Sequence, residues 1–287
     1  MLGWNTAPRA GQMMASEGTV PDIYANITSA APALVEQIAD VLELRAADLQ
    51  QRAIRESYLS EIAFPQDARV LDVGCGTGAL TRVLGSWPGV RAVVGLDPSP
   101  FLLSRARELA ARDERINFEQ GDGRSMPFEP ASFDVTLFHT TLCHVPEPER
   151  ALREAFRVLR PGGWLAVFDG DYATTTVAIG DFDPLQACAD ACIGSMVHDR
   201  WLLRRLPAMA RAIGFDVVSF RSHGYVQNTD PDYMLTIVGR GIEALMRAGR
   251  IGADIAESLR AEARRRASAG EFFGHVAYLS LIGRKPS

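Results

Sequence analysis

The sequence predicts an α/β fold: a doubly wound, mostly parallel seven-stranded sheet with a helical cap. Three observations predict it. Short apolar runs alternate with helical segments between Arg69 and Asp169. A glycine-rich turn follows the first run, and an acidic residue stands in or just after each of the first three. The runs VLDV (70–73), AVVGL (92–96), INFEQ (116–120), FDVTLF (133–138) and WLAVFD (164–169) have strand length. Most are apolar at both parities, as strands covered on both faces require. The intervening segments 79–87, 99–112 and 147–160 read as helices, which gives the strand–helix rhythm of parallel crossovers. Pro161-Gly162-Gly163 is expected to end the third helix and turn into the fifth strand.

The flanking elements follow in order. Residues 1–20 read as a flexible arm, and 21–64 as a helical lid. In the lid, Leu34, Ile38, Val41 and Leu42 recur at helical spacing, as do Leu49, Ala53, Ile54, Tyr58 and Ile62. Residues 65–171 form the sheet core. Residues 172–287 are read as cap helices plus the last two strands. Asp183-Pro184 is an N-cap and first-turn pair for a helix over 184–196. WLLRRLPAMARAIG is a helix kinked at Pro207, FDVVSF (215–220) a strand, and Asp230-Pro231 the start of another helix. GADIAESLRAEARRRASAG is one more helix, with Arg264-Arg265-Arg266 as its solvated last turn. FFGHVAYLSLIG (272–283) is the final strand, and the last two strands would append an antiparallel edge.

With 287 residues, 47% hydrophobic and 23% charged, the composition excludes a disordered, collagen-like or coiled-coil chain. Thirty basic against 35 acidic residues leave a net charge of −5, which argues against nucleic acid or an anionic membrane as partner. The four cysteines are too few for a disulfide scaffold, and Cys188 and Cys192 read as buried apolar residues on one helix face, so no metal is expected. No run approaches the roughly 20 apolar residues of a membrane span, and no signal-like segment opens the chain; a cytoplasmic location is the expectation.

The chemistry centres on VLDVGCGTGAL (70–80). Gly74, Gly76 and Gly78 alternate where backbone must pass close to a ligand or adopt positive φ. Asp97 closes the second strand and is placed to accept from both hydroxyls of a ribose. Asp122 follows the third strand and is placed to accept from an exocyclic amine. Three acids beside a glycine loop describe an adenosine site without pyrophosphate. The spacing also separates this loop from the Gly-x-Gly-x-x-Gly of an NAD(P)-dependent oxidoreductase, the rival enzymatic reading.

VLDVGCGTGAL resembles the first motif of class I S-adenosylmethionine (SAM)-dependent methyltransferases. VVGLDPSPFLLSRAR is similar to their second and FEQGDGRSMPF to their third. FDVTLFHTTLCHVPEPERALREAFRVLRPGGWLAVFD resembles the fourth block of the small-molecule branch that includes the ubiquinone- and menaquinone-biosynthesis methyltransferases. The resemblance covers about residues 69–170 and implies the Rossmann-like methyltransferase fold. It implies that Gly74, Gly76 and Gly78 lie under the methionine part of SAM, and that Asp72 orients this loop or reaches the amino group. It places Asp97 on the ribose, Pro98 or Phe101 against the adenine, Asp122 on the adenine amine and Gly123 on the ring. Phe138 and His139 fall near the sulfonium.

On the acceptor side, His139 is the candidate general base, with a pKa near neutrality. Tyr24, Asp169, Tyr172, His198 and Tyr225 are candidate substrate contacts, His144 is read as structural, and Arg45 is a candidate partner for the SAM carboxylate. The expected function is methyl transfer from SAM to the oxygen, nitrogen or carbon of an aromatic, polyketide-like or isoprenoid small molecule. A SAM-binding protein without transfer is the non-enzymatic alternative. The lid and residues 172–270 are expected to line one enclosed cavity open to the methyl near His139; the alternative is that their apolar faces form a homodimer interface.

Overall fold

The structure is a computed structural model that describes residues 27–111 and 113–287. The expected arm at 1–20 and Tyr24 lie outside the described residues. Seven strands form one sheet in the order β3-β2-β1-β4-β5-β7-β6. They are β1 (Ala68–Val73), β2 (Val90–Asp97), β3 (Ile116–Gln120), β4 (Phe133–His139), β5 (Leu159–Thr176), β6 (Asp216–Gln227) and β7 (Gly274–Arg284). The first five pair parallel, and β7 runs antiparallel between β5 and β6. Chain order reverses direction across the sheet between β1 and β4, which opens a crevice at their carboxyl ends.

Successive strand residues feed opposite layers. Val70, Val93, Ala166 and Ile282 pack toward helices α2 (Leu49–Leu59), α3 (Ala79–Gly85), α6 (Pro184–Met196), α8 (Asp232–Arg247) and α9 (Ala253–Ala269). Their neighbours Leu71, Val94, Leu165 and Leu281 pack toward α5 (Pro148–Val158) and α7 (Leu202–Ile213). This two-sided burial is why the core strands lack polar alternation. Helix α4 (Pro100–Leu109) covers β2 and β3, and α1 (Pro32–Ala47) lies beyond it over the glycine loop. Among the described residues no helix is long and apolar enough to cross a membrane.

Three local expectations are corrected. Pro161-Gly162-Gly163 does not end α5, which stops at Val158; Leu159 already pairs with Phe133, and the tripeptide is a bulge before Trp164 pairs with Val135. Helix α7, as expected, runs through Pro207 to Ile213. Strands β5 and β6 extend well past residues 169 and 220, because β7 supplies partners for Asp171 (Ala277) and Tyr225 (Val276). Asp169 and Asp171 therefore both lie inside a strand. Finally, Arg266 is buried rather than solvated. It binds Asp183 at 2.5 Å, the residue that caps α6 by accepting from Leu185 N, and also Glu262.

Helices α6 and α8 approach to backbone contact: a Cβ at Gly241 would stand 1.7 Å from the carbonyl oxygen of Cys188. Gly239, two residues earlier in α8, has open space at the same position. The pair makes a matched test. Gly241→Ala is expected to lose at least about 3 kcal/mol through overpacking, a fall in Tm of roughly 5 °C or more. Gly239→Ala should leave Tm unchanged or raise it, since alanine favours the helix by up to about 1 kcal/mol. Thermal melts of the two variants check this, and equal melts would contradict the contact.

Candidate functional site

A cavity of about 320 Å³ lies at the carboxyl ends of β1, β2 and β4. The loop after β1 forms its floor. Gly74, Gly76 and Gly78 all take positive φ, at 72°, 55° and 74°. Gly74 is sterically required as well, because a Cβ there would meet Thr141 Cγ2 at 2.2 Å. Gly74 N and Cys75 N donate to Leu96 O at 2.7 and 3.1 Å, tying the loop to the end of β2. Gly78 does not line the cavity; a Cβ there would meet the Phe118 ring at 2.8 Å, so it serves packing.

Two buried carboxylates stand over the loop. Asp97 accepts from Gly76 N and from Ser99 N, both at 2.9 Å. Asp72 accepts from Thr81 Oγ1 at 2.6 Å. Burial pushes Asp97 up to about 6 and Asp72 up to about 7, Asp72 further through the neighbouring charge of Asp97. Pro98, Gly123 and Phe138 also line the cavity, whereas Phe101 is surface-exposed and does not. Asp122 reaches the cavity rim, but Arg124 already holds its carboxylate (Nη2 at 2.7 Å, backbone N at 2.8 Å) and keeps its pKa low.

His139 lines the opposite wall. Its Nδ1 is 2.8 Å from Tyr58 Oη, and its ring stacks on Phe168 at 4.8 Å between centroids. The expected near-neutral pKa is not found. Burial drives it well below the ordinary value, and the charges of Arg45 and Arg55 drive it the same way. The ring is held neutral, and Tyr58, whose own pKa is raised by burial, stays a hydroxyl. Thr140, at φ 54°, follows directly; its N donates to Phe168 O and its Oγ1 accepts from Arg45 Nη2 at 2.5 Å.

Helix α2 adds residues that the sequence pattern did not mark. Gln51 and Arg55 line the cavity and Tyr58 stands behind His139; all three are over nine-tenths buried. Their spacing of four and then three puts them on one stripe, and polar residues on an otherwise apolar stripe were the available signal. Gln51 Nε2, Arg55 Nε and Thr77 Oγ1 are buried without a hydrogen-bond partner, and all three residues line this cavity.

The expected acceptor-side residues mostly lie elsewhere. Asp169 is fully buried and off the cavity; it accepts from Cys143 N at 3.1 Å and so fixes the turn Leu142–His144. Tyr225 is buried and donates to Asp48 Oδ2 at 3.1 Å, the carboxylate that caps α2. His198 is exposed and lines neither this cavity nor a second, smaller one. Tyr172 lines only the second cavity, which lies between α1, α6 and α8. The single enclosed cavity expected from the sequence is therefore not found: its expected walls are divided between these two cavities. None of residues 172–270 lines the larger one, and Leu42, Arg45 and His144 form a wall shared by both. No three His, Cys, Asp or Glu side chains among the described residues are grouped to hold a metal ion.

The family model described as "Methyltransferase domain" matches residues 71–167. A 2-phytyl-1,4-naphtoquinone methyltransferase of Thermosynechococcus vestitus is 39% identical over 116 residues, or 40% of this chain and 52% of that protein. A 27-O-demethylrifamycin SV methyltransferase of Amycolatopsis mediterranei is 33% identical over 151 residues, or 52% of this chain and 48% of that protein. The chain spans about half the length of the curated relatives it matches. Among solved structures, a Bacillus halodurans protein assigned as a methyltransferase superposes with a TM-score of 0.58 at 20% identity, over 81% of this chain and 98% of that one, a likeness of fold. Motif sequence, strand order and these matches converge on one likeness: the core of this chain, from β1 into β5, is similar in sequence to the methyltransferase domain family and in fold to solved methyltransferases.

Proposed function

We propose that the chain binds SAM in the larger cavity and methylates a small molecule. The observation that carries this reading is the set of unpartnered buried polar atoms facing two buried carboxylates. Donors on Gln51 and Arg55 lack an acceptor, and Asp72 and Asp97 line the same cavity as buried acids whose charge a cationic ligand would offset. An adenosyl amino acid is complementary to both: its carboxylate satisfies the donors, and its positive groups suit the acids. When bound, SAM supplies a methyl group already activated by the sulfonium.

The chain's own residues then divide the work. Asp97 offers its remaining lone pairs to the ribose hydroxyls, while its hold on Gly76 and Ser99 keeps the loop shaped. Asp72 orients the loop through Thr81 and faces the amino group. Pro98 and Gly123 flank the adenine. Asp122, neutralised by Arg124, meets the adenine amine at the rim. Phe138 and His139 form the wall at the methyl end. His139 aligns rather than deprotonates: a ring this reluctant to accept a proton suits an acceptor whose nucleophile needs no proton removed by a strong base. The lid helices exclude water from one side. Quinone and rifamycin methyltransferases among the relatives support an aromatic or polyketide-like acceptor, and a cytoplasmic, biosynthetic setting fits that chemistry. A nicotinamide cofactor is disfavoured, because a pyrophosphate beside Asp72 and Asp97 would meet two buried acids.

Three outcomes test this reading. Calorimetry should show S-adenosylhomocysteine binding with NAD much weaker, and incubation with SAM and an acceptor panel should release S-adenosylhomocysteine; tighter NAD binding refutes the assignment. Asp97→Asn keeps the side-chain shape but removes the charged acceptor, so affinity for S-adenosylhomocysteine should fall at least tenfold, since such bonds contribute about 1.5–3 kcal/mol each. The wild-type affinity should weaken as pH drops from 8 to 5, as Asp72 and then Asp97 take up protons near 7 and 6.

The same shifts set a stability profile for the ligand-free protein. Each folded pKa lies above the unfolded value of 3.8, so the folded state binds more protons between these limits. The associated stability is complete below about pH 4 and is lost as pH rises through 6 to 7. Asp72→Asn should therefore melt higher than wild type at pH 8 and no higher at pH 4. A constant difference across that range would contradict the buried charge.

A further inference from the structure

The second cavity lies between α1, α6 and α8 and shares Leu42, Arg45 and His144 with the larger one. Its other walls are mainly apolar, including Tyr172, Ile193 and Ile237. Two guanidinium groups, those of Arg45 and Arg240, line it, and no aspartate or glutamate does. Arg45 spans the shared wall and donates to Thr140 beside His139. Arg240, half-buried, contacts Met196 Sδ at 3.7 Å and has no carboxylate within 4.0 Å among the described residues. A cation facing an apolar pocket without a counter-ion is an anchor for an anionic group on an otherwise apolar ligand.

Resting on the SAM reading above, we propose that this second cavity is the acceptor site and that it takes an apolar, ring-bearing acid, with its anionic group on Arg240. The opposite end of the ligand then points past Leu42 and His144 toward His139 and Thr140. The resting cavity is only about 50 Å³, and Met196, an unbranched thioether in contact with Arg240, is the wall that yields. The arrangement separates two duties along the chain: Arg55 and Gln51 of α2 face the cofactor, while Arg240 of α8 reads the acceptor.

Two probes of one shape and different charge test this. With S-adenosylhomocysteine present, ¹⁹F NMR titration should show 4-fluorobenzoate binding at least tenfold more tightly than 4-fluorobenzyl alcohol. Arg240→Met should abolish that preference while leaving S-adenosylhomocysteine affinity within twofold. Thr236→Phe, which fills the cavity from a half-buried wall position, should weaken both probes, with a thermal melt confirming that it folds. Equal affinities in the wild type, or a preference that survives Arg240→Met, overturns the proposal, as does probe binding unaffected by Thr236→Phe. Failure of 4-fluorobenzoate to bind while S-adenosylhomocysteine does overturns this inference alone. Failure of S-adenosylhomocysteine to bind the wild type refutes the SAM reading beneath it.

Discussion

One carboxylate holds the site together. Asp97 grips the N–H of Gly76 with one oxygen and the N–H of Ser99 with the other. The first belongs to the loop leaving β1, the second to the cap of α4, whose side chain in turn receives Leu102 N. Two crossovers of the sheet thereby end on a single acid. That acid is buried and still poised to titrate, which is what a group with partners for only part of its hydrogen-bonding capacity should do. The loop's positive-φ glycines, the clash that forbids a side chain at Gly74, and the orientation of α4 all follow from keeping these backbones in reach.

Across the cavity the logic is inverted. There the cations outnumber the acids, and they add to burial in keeping a histidine neutral. Phe168 stacks on His139, on Tyr58 and on Tyr278, so the ring is set in an aromatic column that runs from the lid helix through β5 to β7. Arg45 and Arg55 oppose its protonation from the lid. A site with acids on one side and guanidiniums on the other is polarised along the direction in which a positive methyl donor would meet an electron-rich acceptor.

The core was legible because its signals are local. A strand, a glycine turn and a strand-end acid occupy adjacent residues, so Asp72, Gly74, Gly76 and Asp97 could be read directly and the structure brings them to one cavity. The α2 residues were hidden because helical spacing tells which residues share a stripe but not what the stripe faces. Gln51 and Arg55 acquire their meaning only when α2 lies over β4. The lengths of β5 and β6 were hidden for a different reason: their partner β7 lies about a hundred residues beyond β5, and its pairing turns Asp169 and Tyr225 from exposed candidates into buried fixtures. Arg266 was misjudged the same way, since its partner Asp183 is distant in sequence.

The contact of Gly241 with the Cys188 carbonyl bears on how the proposed acceptor side can vary. Two helices touching backbone to backbone have no side-chain layer left to exchange between them. Helices α6 and α8 thus act as a single plate, and the Arg266–Asp183 clasp ties α9 to the start of α6. A plate of that kind is rigid in its own plane and can be redecorated only on its free surface. Variation is then channelled into the few side chains the plate presents to α1, and the frame that carries the larger cavity is insulated from it.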